Sequence, residues 1–455
     1  MTGIQAGPSG PAADASDPDA GSPPDREPDP AGQTASGPPE GGWWSRRARG
    51  IVGGLPDDLV RPMLGVAITS FGVSLGIGVI FPLVPIFARD LGISLSAIGA
   101  LVGAFGIARI GVGVLGGRIF SRLSERAVGA AGAATVAIGS LLTAFARSFE
   151  ALLVARVVHG LGVALFVVAG LVFIGRAVPP GHRGRILGLH QGSMLLAASV
   201  GPVLGAFLAQ FGGVQLPFFV AAGFGVLSLV FALRTFPSSG GHDGPRVRHR
   251  ITVPPGWRWT FTVMLIASFV TWGMRTAMRF ALTPVFVTEG VGAPLVWSGI
   301  VLALMSVGDV IGLIFGGRWL DRRGRRPVFV AGSLLTAASI AAFPLVHSTT
   351  GLVVVSLAFG VVGGLCSVAP AAMAADLAGG NPAVVSTSRL AGDVGVLVGP
   401  IGSSSLLDLG GYGVGYGAVA ASSVVAAVAA VSGRETIGLG EAGPADDADV
   451  VSPGV

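Results

Sequence analysis

The sequence predicts an all-α membrane protein, with twelve transmembrane helices in two pseudo-symmetric six-helix bundles. Three observations carry this. The chain holds twelve apolar runs, each near the ~20 residues that a helix needs to cross the hydrocarbon of a bilayer. A segment running from Gly316 and Gly317 through Arg318, Arg322 and Arg326 repeats, 200 residues on, one running from Gly116 and Gly117 through Arg118, Arg122 and Arg126. Both copies end an apolar run, which is the mark of two homologous membrane halves. The 455 residues are 51% hydrophobic and 12% charged, with mean hydropathy +0.75, against about 25% charged residues in a soluble domain.

The elements follow in order. Residues 1–58 are rich in Pro, Gly, Ala, Ser and Asp and predict a disordered cytoplasmic tail, with no apolar stretch of signal-peptide type. Trp43 and Trp44, followed by Arg46, Arg47 and Arg49, form an interfacial anchor at its end. The first bundle, 59–236, takes the runs 63–88, 97–118, 127–146, 150–175, 184–211 and 214–235. A polar linker, 237–258, carries Arg246, Arg248, Arg250 and Arg258. The second bundle, 259–433, takes 259–288, 295–318, 327–346, 351–376, 385–408 and 412–432, and 434–455 reads as a second disordered cytoplasmic tail.

Arginine sets the orientation. All 29 basic residues are arginine. With both termini in the cytoplasm, 22 of them fall on cytoplasmic segments and two, Arg89 and Arg147, on outer loops, a strong positive-inside bias. The absence of lysine excludes the P-loop, whose lysine holds nucleotide phosphates. The single cysteine, Cys366, excludes an intrachain disulfide and a cysteine metal site. The arginines are scattered over loops, so the net charge of +5 is not a nucleic-acid signal.

Four motifs resemble those of the major facilitator superfamily. Gly317, Asp321, Arg322, Gly324, Arg325 and Arg326 match its loop signature, here in the second half. Arg156, His159, Gly160 and Gly162 resemble its fourth-helix motif, with His159 where glutamine is usual. Gly192, Gly201, Pro202 and Gly205 resemble the fifth-helix motif of antiporters, and Arg389, Gly392, Asp393, Gly395, Gly399 and Pro400 its eleventh-helix counterpart. The resemblance covers about 60–433 and is closest to the twelve-helix drug:proton antiporter group. It implies a monomeric secondary transporter in the cell membrane, not an enzyme, without cofactor, whose halves rock about a midplane site. Its partners are a small organic substrate, protons and lipid. Proton-coupled export is the leading implication; proton-coupled uptake and a non-transporting sensor or assembly role stand as alternatives.

The first half departs from the pattern. Its loop has Ser121, Ser124 and Glu125 where aspartate, glycine and a basic residue are usual, and Arg176 stands where relatives carry an acid. Matched positions therefore read Arg109, Ser121 and Arg176 in one half and Asp309, Asp321 and Asp376 in the other. In the family the loop aspartate caps a helix of the opposite half and steadies the outward-facing state. On that resemblance Asp321 caps the helix beginning near Gly184, and the first-half changes read either as a lost contact or as drift.

Ionisable residues at bilayer depth are functional candidates by default. Arg389 and Asp393 are four apart and face each other on one helix. Asp309 has no basic residue within one turn of its own helix, which makes it the candidate proton carrier unless a neighbouring helix supplies an arginine. Arg275 and Arg279, also four apart, require an anion: Asp309, Asp393 or an acidic substrate group. Arg156, with His159, is the remaining proton-transfer candidate. Arg109, Phe71, Phe81 and Trp272 are candidate cavity residues. Pro82, Pro85 and Pro284, in the first and seventh runs, are candidate gating breaks, and Pro370 a further kink.

Overall fold

The computed structural model describes residues 57–236, 251–253, 255–379, 381–437 and 439. The tail before residue 57 with its tryptophan–arginine anchor, most of the linker, and the chain beyond 439 lie outside the described residues. The described chain is helical: α1 (Asp57–Ile80), α2 (Leu83–Asp90), α3 (Leu95–Phe120), α4 (Glu125–Phe145), α5 (Phe149–Ala177), α6 (Pro180–Gly212) and α7 (Leu216–Thr235). After the linker come α8 (Arg258–Ala277), α9 (Val296–Arg323), α10 (Arg325–Ala342), α11 (Thr349–Ala378) and α12 (Pro382–Ser432).

Eleven helical stretches among the described residues are long and apolar enough to cross a membrane. The count rises to twelve because α12 is two spans. At ~1.5 Å per residue, its 51 residues would far exceed a ~30 Å hydrocarbon core. The break comes at Gly410 and Gly411, where Gly411 takes φ +71°, a region that favours glycine.

The first span is likewise broken, into α1 and α2, at Phe81 and Pro82. In the matching seventh span, α8 runs into two π-helical turns, Met278–Leu282 and Phe286–Gly290, on either side of Pro284. A proline lacks an N–H and clashes with the preceding turn, so the backbone reorganises around it. Pro370, by contrast, sits inside an uninterrupted α11.

Within each half, glycines bring helix backbones into contact. A Cβ on Gly205 of α6 would meet the Val79 carbonyl of α1 at 2.2 Å, and one on Gly395 of α12 would meet the Phe269 carbonyl of α8 at 2.1 Å. Two helix pairs join the halves. In α3, Gly99 and Gly103 lie against Pro400 and Leu397 of α12; in α6, Pro202 lies against Gly299 of α9. Both joints close only one end of the molecule. The α3 face that carries Gly99, Gly103 and Gly106 continues to Gly113, where nothing lies within 4 Å of a Cβ. Gly184 and Gly188 of α6 and Gly317 of α9 are open in the same way. The halves therefore meet at the far end and part at the end that carries the basic loops.

Two contacts seal the far end. Arg89 donates to Glu289 at 2.7 Å, and Asp408 accepts from the Ser96 backbone N–H at 2.7 Å, capping the start of α3. Between that seal and the cleft, Phe81 lies against Phe280 with ring centroids 4.2 Å apart.

Candidate functional site

Three clusters of ionisable side chains lie at the depth of the spans. In the first, Asp309 of α9 is 1% exposed and holds two guanidinium groups. Arg275 reaches it with both terminal nitrogens, at 2.9 and 2.5 Å, and Arg279 at 2.5 Å. Arg279 also donates to the Met305 carbonyl at 3.0 Å and to Ser306 at 3.2 Å. Small residues make this possible: Gly360 and Gly364 bring α11 directly against the backbone of Gly308 and Asp309. Asp309 thus meets the arginine from another helix that its own helix lacks, and the condition that made it the candidate proton carrier fails.

The second cluster crosses between the halves. Arg109 of α3 donates from Nε to Asp393 of α12 at 2.8 Å, and its Nη2 approaches the same oxygen at 2.6 Å. Arg109 also lies 5.9 Å from the ring centre of Trp272. The expected pairing of Asp393 with Arg389 is not made. Both share a helix face, but Asp393 turns to the arginine across the interface, and Arg389 stays exposed with no ion pair or hydrogen bond among the described residues. Spacing along one helix shows what can meet; it does not weigh a stronger partner on another helix.

The third cluster is Arg156 of α5, 1% exposed, which donates to Thr143 at 3.2 Å and lies 3.0 Å from His159 Nδ1. The ring of Phe81 lies 6.0 Å away. Its Nε and Nη1 have no partner among the described residues. Phe81 is 4% exposed, so it closes the cleft rather than lining it, whereas Trp272 is 46% exposed. Phe71 lines a separate apolar cavity of about 470 Å³ between α1 and α6. The face of α6 on that cavity, through Leu189 and Leu196, is not the face that meets α9 through Ala198 and Pro202. Gly201 and Pro202 serve close packing of α6 on α1 and α9.

At the basic loops, Asp321 does not cap α6 in this conformation. It accepts from Arg325 at 2.7 Å and is 74% exposed, while α6 begins at Pro180 with no side-chain cap. The halves are apart at this end, so the acid has no helix of the opposite half to reach. Arg325 also meets Asp376 at 3.1 Å. Arg322 is exposed, and Arg326 donates to the Val431 carbonyl.

The departures at Glu125 and Arg176 are not a lost contact. Arg176 pairs with Glu125, whose side chain is 5% exposed. These residues lie 200 positions before Asp376 and Arg325, so the same bridge exists in both halves with its charges exchanged. Ser124, in the place of Gly324, caps α4 by accepting from the Ala127 N–H at 3.2 Å.

At Gly324, with φ +95°, no side chain is available to cap α10. Glu435 supplies the cap, accepting from the backbone N–H groups of Arg325 and Arg326 at 2.7 and 3.0 Å. Thr436 is fully buried and donates to Asp376 at 2.9 Å. The expectation of a disordered tail from 434 is therefore corrected for its first residues. A run of small and acidic residues carries no sign that one glutamate finds a helix N-terminus.

The sequence profile of the Major Facilitator Superfamily matches residues 66–307 and 264–446. The chain is 25% identical over 213 residues to "Multidrug resistance protein 1" of Bacillus subtilis (strain 168), covering 45% of this chain and 54% of that one. It is 25% identical over 164 residues to "Quinolone resistance protein NorA" of Staphylococcus aureus (strain Mu50 / ATCC 700699), covering 36% and 42%. The chain thus spans about half the length of the curated relatives it matches. Among solved structures, it resembles an inward-facing, unoccupied bacterial homologue of the human lysosomal transporter Spinster, with TM-score 0.64, 14% identity, and 82% and 94% coverage. The chain belongs to the major facilitator superfamily and is a multi-pass membrane protein with the fold of its transporters.

Proposed function

We propose that the protein exports a small organic molecule across the cell membrane in exchange for protons, by alternating access, with both termini in the cytoplasm. The observation that carries this is a cleft open at the basic-loop end, sealed at the other by Arg89–Glu289 and Phe81–Phe280, with the Arg109–Asp393 bridge across it. The arginine distribution makes the open end cytoplasmic. The fifth-span Gly201 and Pro202, and the printed names of the two resistance proteins, support export over uptake.

Asp393 is the better candidate for the coupling proton. Neutralising it removes the partner of Arg109 and so weakens a link between the halves, which ties protonation to their relative movement. Asp309 is clamped within one half by Arg275 and Arg279 and is the better candidate for a packing role. Inverted membrane vesicles with an imposed pH gradient and a substrate panel test the reading. Gradient-driven accumulation abolished by Asp393→Asn supports it. Accumulation only under the opposite gradient replaces export with uptake, and no accumulation under either removes a transport role.

A further inference from the structure

We propose that the transported molecule is an organic anion, a carboxylate on an apolar body, and that Arg389 is the guanidinium that meets it. The inference rests on the exporter reading for the existence of a substrate and adds its chemical class.

Charge is the first support. At the depth of the spans the described residues hold five arginines, Arg109, Arg156, Arg275, Arg279 and Arg389, against two aspartates, Asp309 and Asp393. Three positive charges are uncompensated. Charge at this depth is costly unless it is paired or meets water or a ligand. Both aspartates are already engaged by arginine. A cationic substrate would have to displace a guanidinium to reach either; an anionic one displaces nothing.

Geometry is the second. Arg389 is exposed, makes no ion pair or hydrogen bond among the described residues, and sits one turn from Asp393, within electrostatic reach of Arg109. A planar guanidinium with all its donors free suits a carboxylate, which it can bind through two parallel hydrogen bonds. Trp272, half exposed beside Arg109, offers a face for an apolar body. Behind Phe81, Arg156 keeps two buried donors without partners, so its positive charge adds to the same field.

The test uses the purified full chain in detergent and isothermal titration with 2-naphthoate, its neutral amide and 2-naphthylmethylammonium at constant ionic strength, and with chloride. The expected result is that 2-naphthoate binds at least about 10-fold more tightly than both organic controls and chloride, consistent with a charged hydrogen-bonded contact. Arg389→Gln should remove that preference and Arg389→Lys keep part of it, with the unfolding temperature unchanged because the side chain holds no structural partner. Tighter or equal binding of the ammonium, or no difference among the probes, including no binding by any, overturns the anion assignment. A chloride affinity equal to that of 2-naphthoate reduces the site to one for small anions. An intact preference in Arg389→Gln overturns the role of Arg389. Binding of 2-naphthoate without gradient-driven movement in proteoliposomes leaves the charge assignment standing and removes the exporter reading.

Discussion

Asp393 and Asp309 are both aspartates held by arginine, yet their settings predict different losses. Asp393→Asn leaves Arg109 at a half-open interface, 27% exposed, where water can take the place of the carboxylate. The variant should fold, bind substrate and lose its response to a pH gradient, as read by gradient-driven flux beside a binding titration. Asp309→Asn leaves two nearly buried guanidinium groups with no counter-charge. Removing one partner of a buried ion pair costs about 3–5 kcal/mol, so this variant should fall in unfolding temperature and in yield of monodisperse protein. A stable Asp309→Asn that binds substrate but loses its response to the gradient would return the proton to that residue, and a stable, fully active one would remove both roles from it. The sequence showed which residues at this depth carry charge, because ionisable side chains stand out in apolar runs. It did not show their pairing, because partners four apart on one helix compete with partners from helices about 280 residues away.

At the scale of the helix ends, the two basic loops hold the same bridge with opposite polarity. Arg176→Glu sets a carboxylate against the buried Glu125, and Glu125→Arg sets a guanidinium against Arg176. Each single change should lower stability, while the double change should restore much of it, with a coupling energy of about 0.5–1 kcal/mol because Arg176 is half exposed. Thermal unfolding of the four proteins in the cycle measures this; a double variant no better than either single excludes the exchange of charges. Glu435→Ala removes an acceptor from two N–H groups at the start of α10 and should cost about 1 kcal/mol. Hydrogen exchange localised to residues 325–329 reads that cap directly. The helices themselves were legible in advance, since length and hydropathy decide them. Their caps were not, because a cap depends on one side chain and where the chain brings it.

For the whole molecule, the conformation seen has its halves parted at the basic-loop end, with Asp321 turned to solvent. When that end closes, the acid comes toward α6, whose N-terminus lacks a side-chain cap, and a carboxylate there is worth about 0.3–1 kcal/mol. Asp321→Asn should therefore enrich the conformation open at the basic loops, and Ser121→Ala should change it little. Spin labels placed across each end measure the populations, and equal effects from the two substitutions would rule out the asymmetry. At the other end, Arg89→Glu opposes Glu289 with a like charge and should shift the population toward opening there. The two-half plan was readable from the 200-residue repeat. Which end stands open was not, since one sequence must support both arrangements.

The exchanged bridge has a consequence for how the halves can be recombined. The loops 118–126 and 318–326 keep the arginines of the 200-residue repeat, which makes them natural junctions for a chimera. Grafting the first loop into the second half would set Glu125 beside Asp376, and the reverse graft would set Arg325 beside Arg176. Each half recognises its own loop by sign, so two segments that align residue for residue cannot be exchanged without setting like charges together at that bridge.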